Sequence, residues 1–236
     1  MCNILLGHAP PTLRVAVMQP YFFPYAGYFR LFAAADVFIM FDCVQFPRRG
    51  RVHRAEVPGP NGVPEWLTLP LTYHQRDTLI RDLSFAEHAR ELFDERLARL
   101  KWIRTANGPH AGLIRDFLCA PLSSVMDYLE DGLRLVIDLI QIHTAIVRSS
   151  ALKLDPSLRG QARVIAAIQA VGATHYVNAS GGRSLYDETT FRQAGIELVF
   201  LMPYHGQLRY MLPALMTGSS AVIGDDVRAT TRLDPS

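Results

Sequence analysis

The stretch VAVMQPYFFPYAGYFRLFAAADVFIMFDCVQFPRRGRVHR, residues 15–54, decides the fold of this chain. Leu13–Met18 and Val37–Phe41 are short apolar runs of the kind that forms buried strands. Between them, a loop with two prolines leads into Gly27–Ala35, which is rich in Ala and Phe and is predicted to be helical. Strand, loop, helix and strand in such close succession predict a βαβ unit with two parallel strands.

The rest of the chain extends this α/β pattern. Arg51–Val57 and Trp66–Leu71 alternate on either side of a Pro-Gly-Pro-Asn-Gly turn and predict an antiparallel hairpin. Apolar residues at helical spacing over 87–142 predict a helical section, and short strand and helix patterns return after it. We therefore predict an α/β fold: a mostly parallel Rossmann-like sheet with an antiparallel hairpin extension and a helical section.

Length and composition are typical of one globular domain. The 236 residues are 49% hydrophobic and 19% charged, which supplies enough apolar material for a core. We predict a single α/β domain over residues 13–210, with flexible termini at 1–12 and 227–236. The chain is expected to become irregular after Pro203.

Charge and cysteine usage limit the classes of function. The net charge is +2, so whole-chain electrostatics give no reason to expect binding to DNA or to an anionic membrane. Three cysteines without CxxC spacing and eight scattered histidines predict neither a disulfide framework nor a metal site. Because no signal-peptide pattern or long apolar run occurs, we expect a cytoplasmic protein without a membrane span.

The loop after the first strand is the first candidate binding site. It contains one amide, three phenols and a glycine, at Gln19, Tyr21, Tyr25, Tyr28 and Gly27. Amide and phenol groups can orient a ligand without fixed charge, and glycine permits a close approach of the backbone. Ligands of open α/β sheets bind outside the carboxyl ends of the strands. An aromatic plug on the core is the alternative, and the residues alone do not distinguish the two.

The segment after the second strand contains acid, thiol, imidazole and guanidinium groups. The candidates are Asp42, Cys43, Gln45, Arg49 and His53. Asp42 or His53 can take a proton from an attacking amine, and an arginine can bind a carboxylate or phosphate through two hydrogen bonds. Cys43 is either a nucleophile or a small buried residue, because the neighbouring Asp42 disfavours a thiolate.

A third cluster follows a later strand. Ser180, Gly181 and Gly182 form a tight turn between a strand and a helix, where backbone N–H groups can hold a developing oxyanion. Tyr186 stands beside this turn, and Gln207 completes the predicted pocket. We expect the three clusters to converge on one cavity at the carboxyl edge of the sheet.

The three clusters, in this order, resemble the WbqC-like protein family. Its motif MQPYxFPYxGYF is matched by Met18–Phe29, and AADVFxxxDxVQFxxRG is matched by Ala34–Gly50. WLTxPV is matched by Trp66–Leu71, and YxxGxGGxxYxDExxFxxxGIE resembles Tyr176–Glu197. The chain departs from the family at Cys43, where relatives usually carry a second Asp.

The resemblance implies a role in the biosynthesis of O-antigen or other surface polysaccharides, with glycine (aminoacyl) transfer as the suggested activity. Departures at polar positions also leave a natural-product pathway open. We therefore expect a transferase that moves an acyl or aminoacyl group to an amine of a sugar or natural-product intermediate. The substrate is then a small molecule, the donor is carried by a carrier protein, coenzyme A or tRNA, and any cofactor is unidentified.

Two alternatives stay open. The first is a nucleotide-dependent ligase or nucleotidyltransferase, because the strand–loop–helix start also resembles the HxGH nucleotidyltransferases. Tyr25 and Tyr28 stand at the places of the two histidines there, and tyrosine cannot supply an imidazolium. The second is a non-catalytic ligand-binding protein of a biosynthetic complex.

Overall fold

The computed structural model describes residues 12–59 and 62–235. Its strands are β1 (Arg14–Met18), β2 (Val37–Met40), β3 (Arg54–Pro58), β4 (Pro64–Thr68), β5 (Ala145–Arg148), β6 (His175–Asn178) and β7 (Glu197–Phe200). Its α-helices are α1 (Ala26–Ala33), α2 (Ala89–Arg99), α3 (Lys101–Thr105), α4 (Ala111–Leu118), α5 (Val125–Leu139), α6 (Gly160–Ala170), α7 (Glu188–Gln193), α8 (Met211–Thr217) and α9 (Ser220–Thr230).

Five strands form a parallel sheet in the order β5-β2-β1-β6-β7. When the five strands are numbered by their order in the chain, their order across the sheet is 3-2-1-4-5, which is the doubly wound Rossmann order. β3 and β4 pair as a separate antiparallel hairpin, with Glu56 opposite Trp66. The predicted α/β class, parallel sheet, hairpin and helical section are confirmed.

Both faces of the parallel sheet are covered by helices. Ala16 of β1 and Phe38 of β2 belong to a core that includes residues of α1, α5, α8 and α9. Val17 and Ile39 point to the other face, where they join residues of α6 and α7. Alternate residues of a strand face opposite sides, so the continuous apolar runs in β1 and β2 supply both cores.

The helical section is α2 to α5, and it connects β2 with β5. Ser124 caps the longest of these helices, because its Oγ accepts a hydrogen bond from the N–H of Asp127 at 3.2 Å. Within the described residues, no helix combines the length and apolar character needed to cross a bilayer.

The carboxyl-terminal region differs from the prediction. α8 and α9 occupy residues that we expected to lie beyond the domain, and Leu233 forms a β-bridge with Leu201. Asp234 pairs with Arg183 at 2.6 Å. Leu215 and Val227 are buried in the core that contains α1, so the domain continues past residue 210. The predicted arm at residues 1–11 lies outside the described residues.

Candidate functional site

A cavity of about 970 Å³ lies at the carboxyl ends of β2 and β5. Three segments line it, namely residues 43–45 after β2, residues 76–81, and residues 149–163, which lead from β5 into α6. Parallel strands end at one edge of the sheet, and α6 runs back from that edge toward the start of β6. The N-terminus of α6 therefore lies at the cavity, the usual place for ligands in open α/β sheets.

Basic side chains dominate the lining. They are Arg76, Arg81, Lys153, Arg159 and Arg163, and Asp77 is the acidic residue among the described lining residues. Arg81 pairs with Asp82 at 3.6 Å. In residues 12–59 and 62–235, the other four have no ion-pair partner. A concentration of unpaired cations in a concave site favours an anionic ligand.

Asp42 lies behind the wall of this cavity and is 0% exposed. Its Oδ1 accepts hydrogen bonds from Ser149 Oγ at 2.6 Å and from the Ser150 N–H at 2.9 Å, and its Oδ2 accepts one from Ser150 Oγ at 2.5 Å. Ser149 Oγ in turn accepts from the N–H groups of Asp42 and Cys43. The carboxylate thus joins the ends of β2 and β5 and positions two serines that line the cavity.

Cys43 and Gln45 are the predicted site residues that line this cavity. Cys43 is 8% exposed, and Arg81 Nη1 donates a hydrogen bond to its Sγ at 3.6 Å. Gln45 Nε2 donates to the carbonyl oxygen of Arg76 at 2.6 Å, and the Gln45 backbone forms a bridge with Leu79. These contacts hold residues 76–81 beside the segment that follows β2.

Two further clefts border the segment after β2: the first adjoins the cavity, and the second shares Phe46 and Arg48 with the first. Arg49 lines one of about 680 Å³, which shares Gln45 and Arg76 with the cavity. His53 lines the other, of about 360 Å³, and its ring packs edge-on against Phe46 at 5.0 Å. Burial, aided by nearby arginine charges, lowers the pKa of His53 to about 4. The imidazole is therefore neutral at neutral pH, and among the described atoms its Nδ1 has no hydrogen-bond partner.

The loop after β1 packs as part of the core. Tyr28 is 3% exposed, its hydroxyl donates to the carbonyl oxygen of Gln19 at 2.8 Å, and its ring stacks on Tyr21 at 5.1 Å. Burial raises the pKa of Tyr28 well above its ordinary value and raises the pKa of Tyr21 as well. The polar group of Tyr28 is thus satisfied within the loop itself.

Tyr25 and Gly27 also take part in packing. The Tyr25 ring lies edge-on to Tyr204 at 5.7 Å between centroids. A Cβ atom at Gly27 would lie 2.2 Å from the Tyr25 ring and 2.9 Å from the Tyr204 ring. Gly27 therefore makes room for two tyrosine rings, and these contacts fit the aromatic plug better than a ligand site.

The third cluster lies at the same edge of the sheet, on the opposite side of β1. Ser180–Leu185 forms a 3₁₀ turn after β6, and a Cβ at Gly182 would lie 2.3 Å from Asn178 Nδ2. Tyr186 packs against Tyr176 at 5.8 Å, and Gln207 is exposed. Among the residues that the structure describes, neither this cluster nor the loop after β1 lines the basic cavity. The structure therefore does not gather all three clusters around that cavity.

Sequence reasoning missed the segment after β5. Ser149 and Ser150 follow a strand just as Asp42 does, and Arg159-Gly160 precedes a helix. Ligands of open α/β sheets bind outside the carboxyl ends of strands, and this rule, applied above to the first two strands, predicts these residues as site candidates too. What the sequence does not give is that β5 lies next to β2 in the sheet.

The structure brings together no group of three or more His, Cys, Asp or Glu side chains suited to a metal ion, as far as residues 12–59 and 62–235 are concerned.

Comparison with known proteins gives the same family as the sequence motifs. The WbqC-like protein family matches residues 19–211. The chain is 29% identical over 216 residues to the uncharacterized protein Rv1507c of Mycobacterium tuberculosis (strain ATCC 25618 / H37Rv), and the match covers 84% of this chain and 85% of that protein. No solved structure matches the chain. Because the family match covers most of the chain, including the loop after β1, the segment after β2 and the cavity lining, this protein belongs to the WbqC-like protein family.

Proposed function

We propose that the protein is a transferase that binds a phosphate-bearing acyl or aminoacyl donor in the basic cavity and passes the acyl group to an amine. The observation that carries this proposal is the excess of unpaired cations at the carboxyl ends of β2 and β5. Coenzyme A, the phosphopantetheine arm of a carrier protein and tRNA all present phosphate groups together with an activated acyl group. Arginine side chains bind such phosphates through paired hydrogen bonds.

Cys43 is the nucleophile that this cavity offers. In a two-step transfer, Cys43 Sγ attacks the acyl carbon of the donor, the bond to the carrier breaks, and the carrier leaves with the thiol proton. The acceptor amine then attacks the resulting thioester, and its proton returns to Sγ as the amide forms. The hydrogen bond from Arg81 places a cation beside Sγ, the setting in which cysteines act as nucleophiles.

Asp42 has a positioning role in this proposal. Its carboxylate already accepts hydrogen bonds from Ser149 and Ser150, so it holds the loop after β5 against the segment that carries Cys43. His53 lines a separate cleft, and its lowered pKa of about 4 makes the neutral imidazole a weak proton acceptor, so this proposal gives it no proton-transfer step.

Intact-protein mass spectrometry tests this proposal. The full-length protein is incubated with acyl- and aminoacyl-coenzyme A, with aminoacyl carrier protein and with aminoacyl-tRNA, first alone and then with an amino sugar. We expect one donor to add the mass of its acyl group, Cys43→Ala to abolish the adduct, and Cys119→Ala to retain it, because Cys119 is exposed and lies outside the cavity lining.

Two results would overturn parts of this proposal. Full turnover by Cys43→Ala would exclude the covalent step and leave direct transfer. The absence of both adduct and amide product with every donor would exclude acyl transfer itself.

The same cavity supports a second candidate, the nucleotide-dependent ligase or nucleotidyltransferase. The observation that favours it is the helix N-terminus at the edge of a doubly wound sheet, where nucleotides bind in many proteins. Stabilisation by ATP with Mg²⁺, together with release of pyrophosphate or ADP and no acyl adduct, would identify this activity. Stabilisation by a ligand without turnover of any donor or nucleotide would identify a non-catalytic binding protein.

A further inference from the structure

We infer that the N-terminus of α6, with Arg159 and Arg163, forms a subsite for the diphosphate group of the donor. The inference deepens the proposed function and rests on it, because it names the part of the donor that the cavity recognises; of the three donor classes, coenzyme A is the one that carries a diphosphate. Its basis is the juxtaposition of a helix N-terminus with a buried guanidinium in one cavity wall.

The first turn of α6 is open to an anion. The helix has 11 residues and no acidic residue in its first turn, and the Arg159 side chain does not cap it. Gly160 has a φ of 51°, and a Cβ placed there would meet no atom within 4 Å. The left-handed backbone conformation favours glycine at this position, and the space beside it is unfilled. The partial positive charge of the helix terminus is thus directed at accessible space.

Arg163 supplies an independent observation. It is 9% exposed and lines the cavity, and among the described atoms its Nε has no hydrogen-bond partner. Its Nη1 reaches only the carbonyl oxygens of Asp155 and Leu158, both at 3.4 Å. Its Nη2 makes no hydrogen bond to the described atoms and is not enclosed like Nε, so Nη2 can donate to a phosphate oxygen in the cavity.

Asp155 lies close enough for its carboxylate to interact with Arg159 and Arg163: hydrogen bonds from Ser157 lower the pKa of Asp155, and the two arginine charges lower it further. The Asp155 carboxylate accepts hydrogen bonds from the N–H and the hydroxyl of Ser157, at 2.8 and 2.7 Å. Only the carbonyl oxygen of Asp155 contacts Arg163. Within residues 12–59 and 62–235, Arg163 thus forms no ion pair, and Asp155 offsets only part of its positive charge.

The remaining cations indicate a diphosphate rather than a single phosphate. Arg163 lies one turn beyond Gly160, so the two share a face of α6. Lys153 comes from the loop that precedes the helix, and Arg76 and Arg81 come from the segment on the other side of the lining. More cations line this cavity than one phosphate can engage, and a second phosphate would bind the cations left over.

Calorimetric titration of the full-length protein at constant ionic strength tests the subsite. The probes are inorganic phosphate and inorganic pyrophosphate, followed by ADP and coenzyme A as two sources of a diphosphate. We expect pyrophosphate to bind more tightly than phosphate, and Arg163→Met and Arg159→Met each to weaken pyrophosphate binding by about tenfold. Arg104→Met is the matched control, because Arg104 is exposed on α3 and lies outside the cavity lining, and it should leave binding unchanged.

Each outcome bears on one proposal or the other. Failure of pyrophosphate to bind, or wild-type affinity in the Arg159→Met variant, overturns the subsite. Arg159 is exposed, so this variant decides the question even if loss of the buried Arg163 prevents folding. Pyrophosphate binding without transfer from any donor would uphold the subsite and overturn the transferase. If the Arg159→Met variant transfers the acyl group with an unchanged KM for the donor, the transferase would be upheld and the subsite overturned.

Discussion

The loop after β1 and the segment after β2 are alike in sequence and different in structure. Both follow buried strands, and both are dense in polar and aromatic groups. In the first, the Tyr28 hydroxyl donates a hydrogen bond to the carbonyl oxygen of Gln19, and the tyrosine rings pack on one another. In the second, a cavity separates the neighbouring cations, and four of them have no acidic partner in the described part of the chain, namely Arg76, Lys153, Arg159 and Arg163. A candidate site is therefore marked by polar groups that the fold leaves without partners. The number of polar groups in a segment does not by itself identify a site.

The difference follows from what covers each strand end. The loop after β1 leads at once into α1, and the N–H of Ala26 bonds to the carbonyl oxygen of Leu208, so a later part of the chain lies over it. β2 continues into a long excursion through the hairpin and the helical section before β5 returns beside it. The cavity lies where the segments after these two strands meet α6.

The largest effect is expected from Asp42→Asn. The amide replaces a carboxylate oxygen that accepts hydrogen bonds with an NH₂ group that faces donors, so the loop after β5 loses its anchor. We expect unfolding in urea to show a loss of about 3 kcal/mol. Asp116→Asn, on the exposed face of α4, is the control and should change stability little. Wild-type stability of Asp42→Asn would show that the cavity wall does not depend on this carboxylate.

Gly27→Ala tests the loop after β1. The added methyl group overlaps the rings of Tyr25 and Tyr204, so we expect a loss of about 2 kcal/mol in the free energy of unfolding. Gly112→Ala is the matched control, because a Cβ at this helical position meets nothing within 4 Å, and it should be neutral or stabilising. If Gly27→Ala instead left stability intact and abolished ligand binding, the loop would be a binding site and the comparison would be reversed.

The smallest effect is a pH dependence confined to the second region. The pKa of His53 is about 4 in the folded protein and near 6.5 when unfolded, so the unfolded state binds the proton more strongly. Stability is therefore lost as the pH falls from about 6.5 toward 4, by about 1 kcal/mol once partial solvent access is allowed for. Acid does not ionise Tyr21 or Tyr28, whose pKa values are raised.

Urea titrations at neutral and acidic pH measure this contribution. The His53→Gln variant should lose less stability on acidification than the wild type, and His143→Gln, with an exposed side chain, should behave like the wild type. Equal acid sensitivity of His53→Gln and the wild type would mean that His53 is not held neutral by the fold.

The spacing of apolar residues predicted the fold because it follows directly from which side chains are buried. β1 and β2 are continuous apolar runs, as strands covered on both faces must be, and Ser124 caps α5 as its position before an amphipathic pattern indicates. α8 was missed because it has seven residues and contains Pro213, and α9 was missed because its buried face offers only Ile223 and Val227 as large apolar residues. Their stability comes from packing in the core that contains α1, which local sequence does not report.

The site was predicted in part, for a similar reason. Cys43 and Gln45 line the cavity because they follow a strand whose end lies at the ligand-binding edge. Arg76, Arg159 and Arg163 were missed because their place depends on which strands are neighbours.

By itself, the sequence determined the class of fold, the strands and the family, because apolar periodicity and local motifs act over a few residues. Only the tertiary structure decided that the tyrosines of the first loop pack together and that the cations from three distant segments line one cavity. Hydrogen-bond satisfaction and charge pairing depend on the order of strands in the sheet, and that order is set by contacts between residues far apart in the chain.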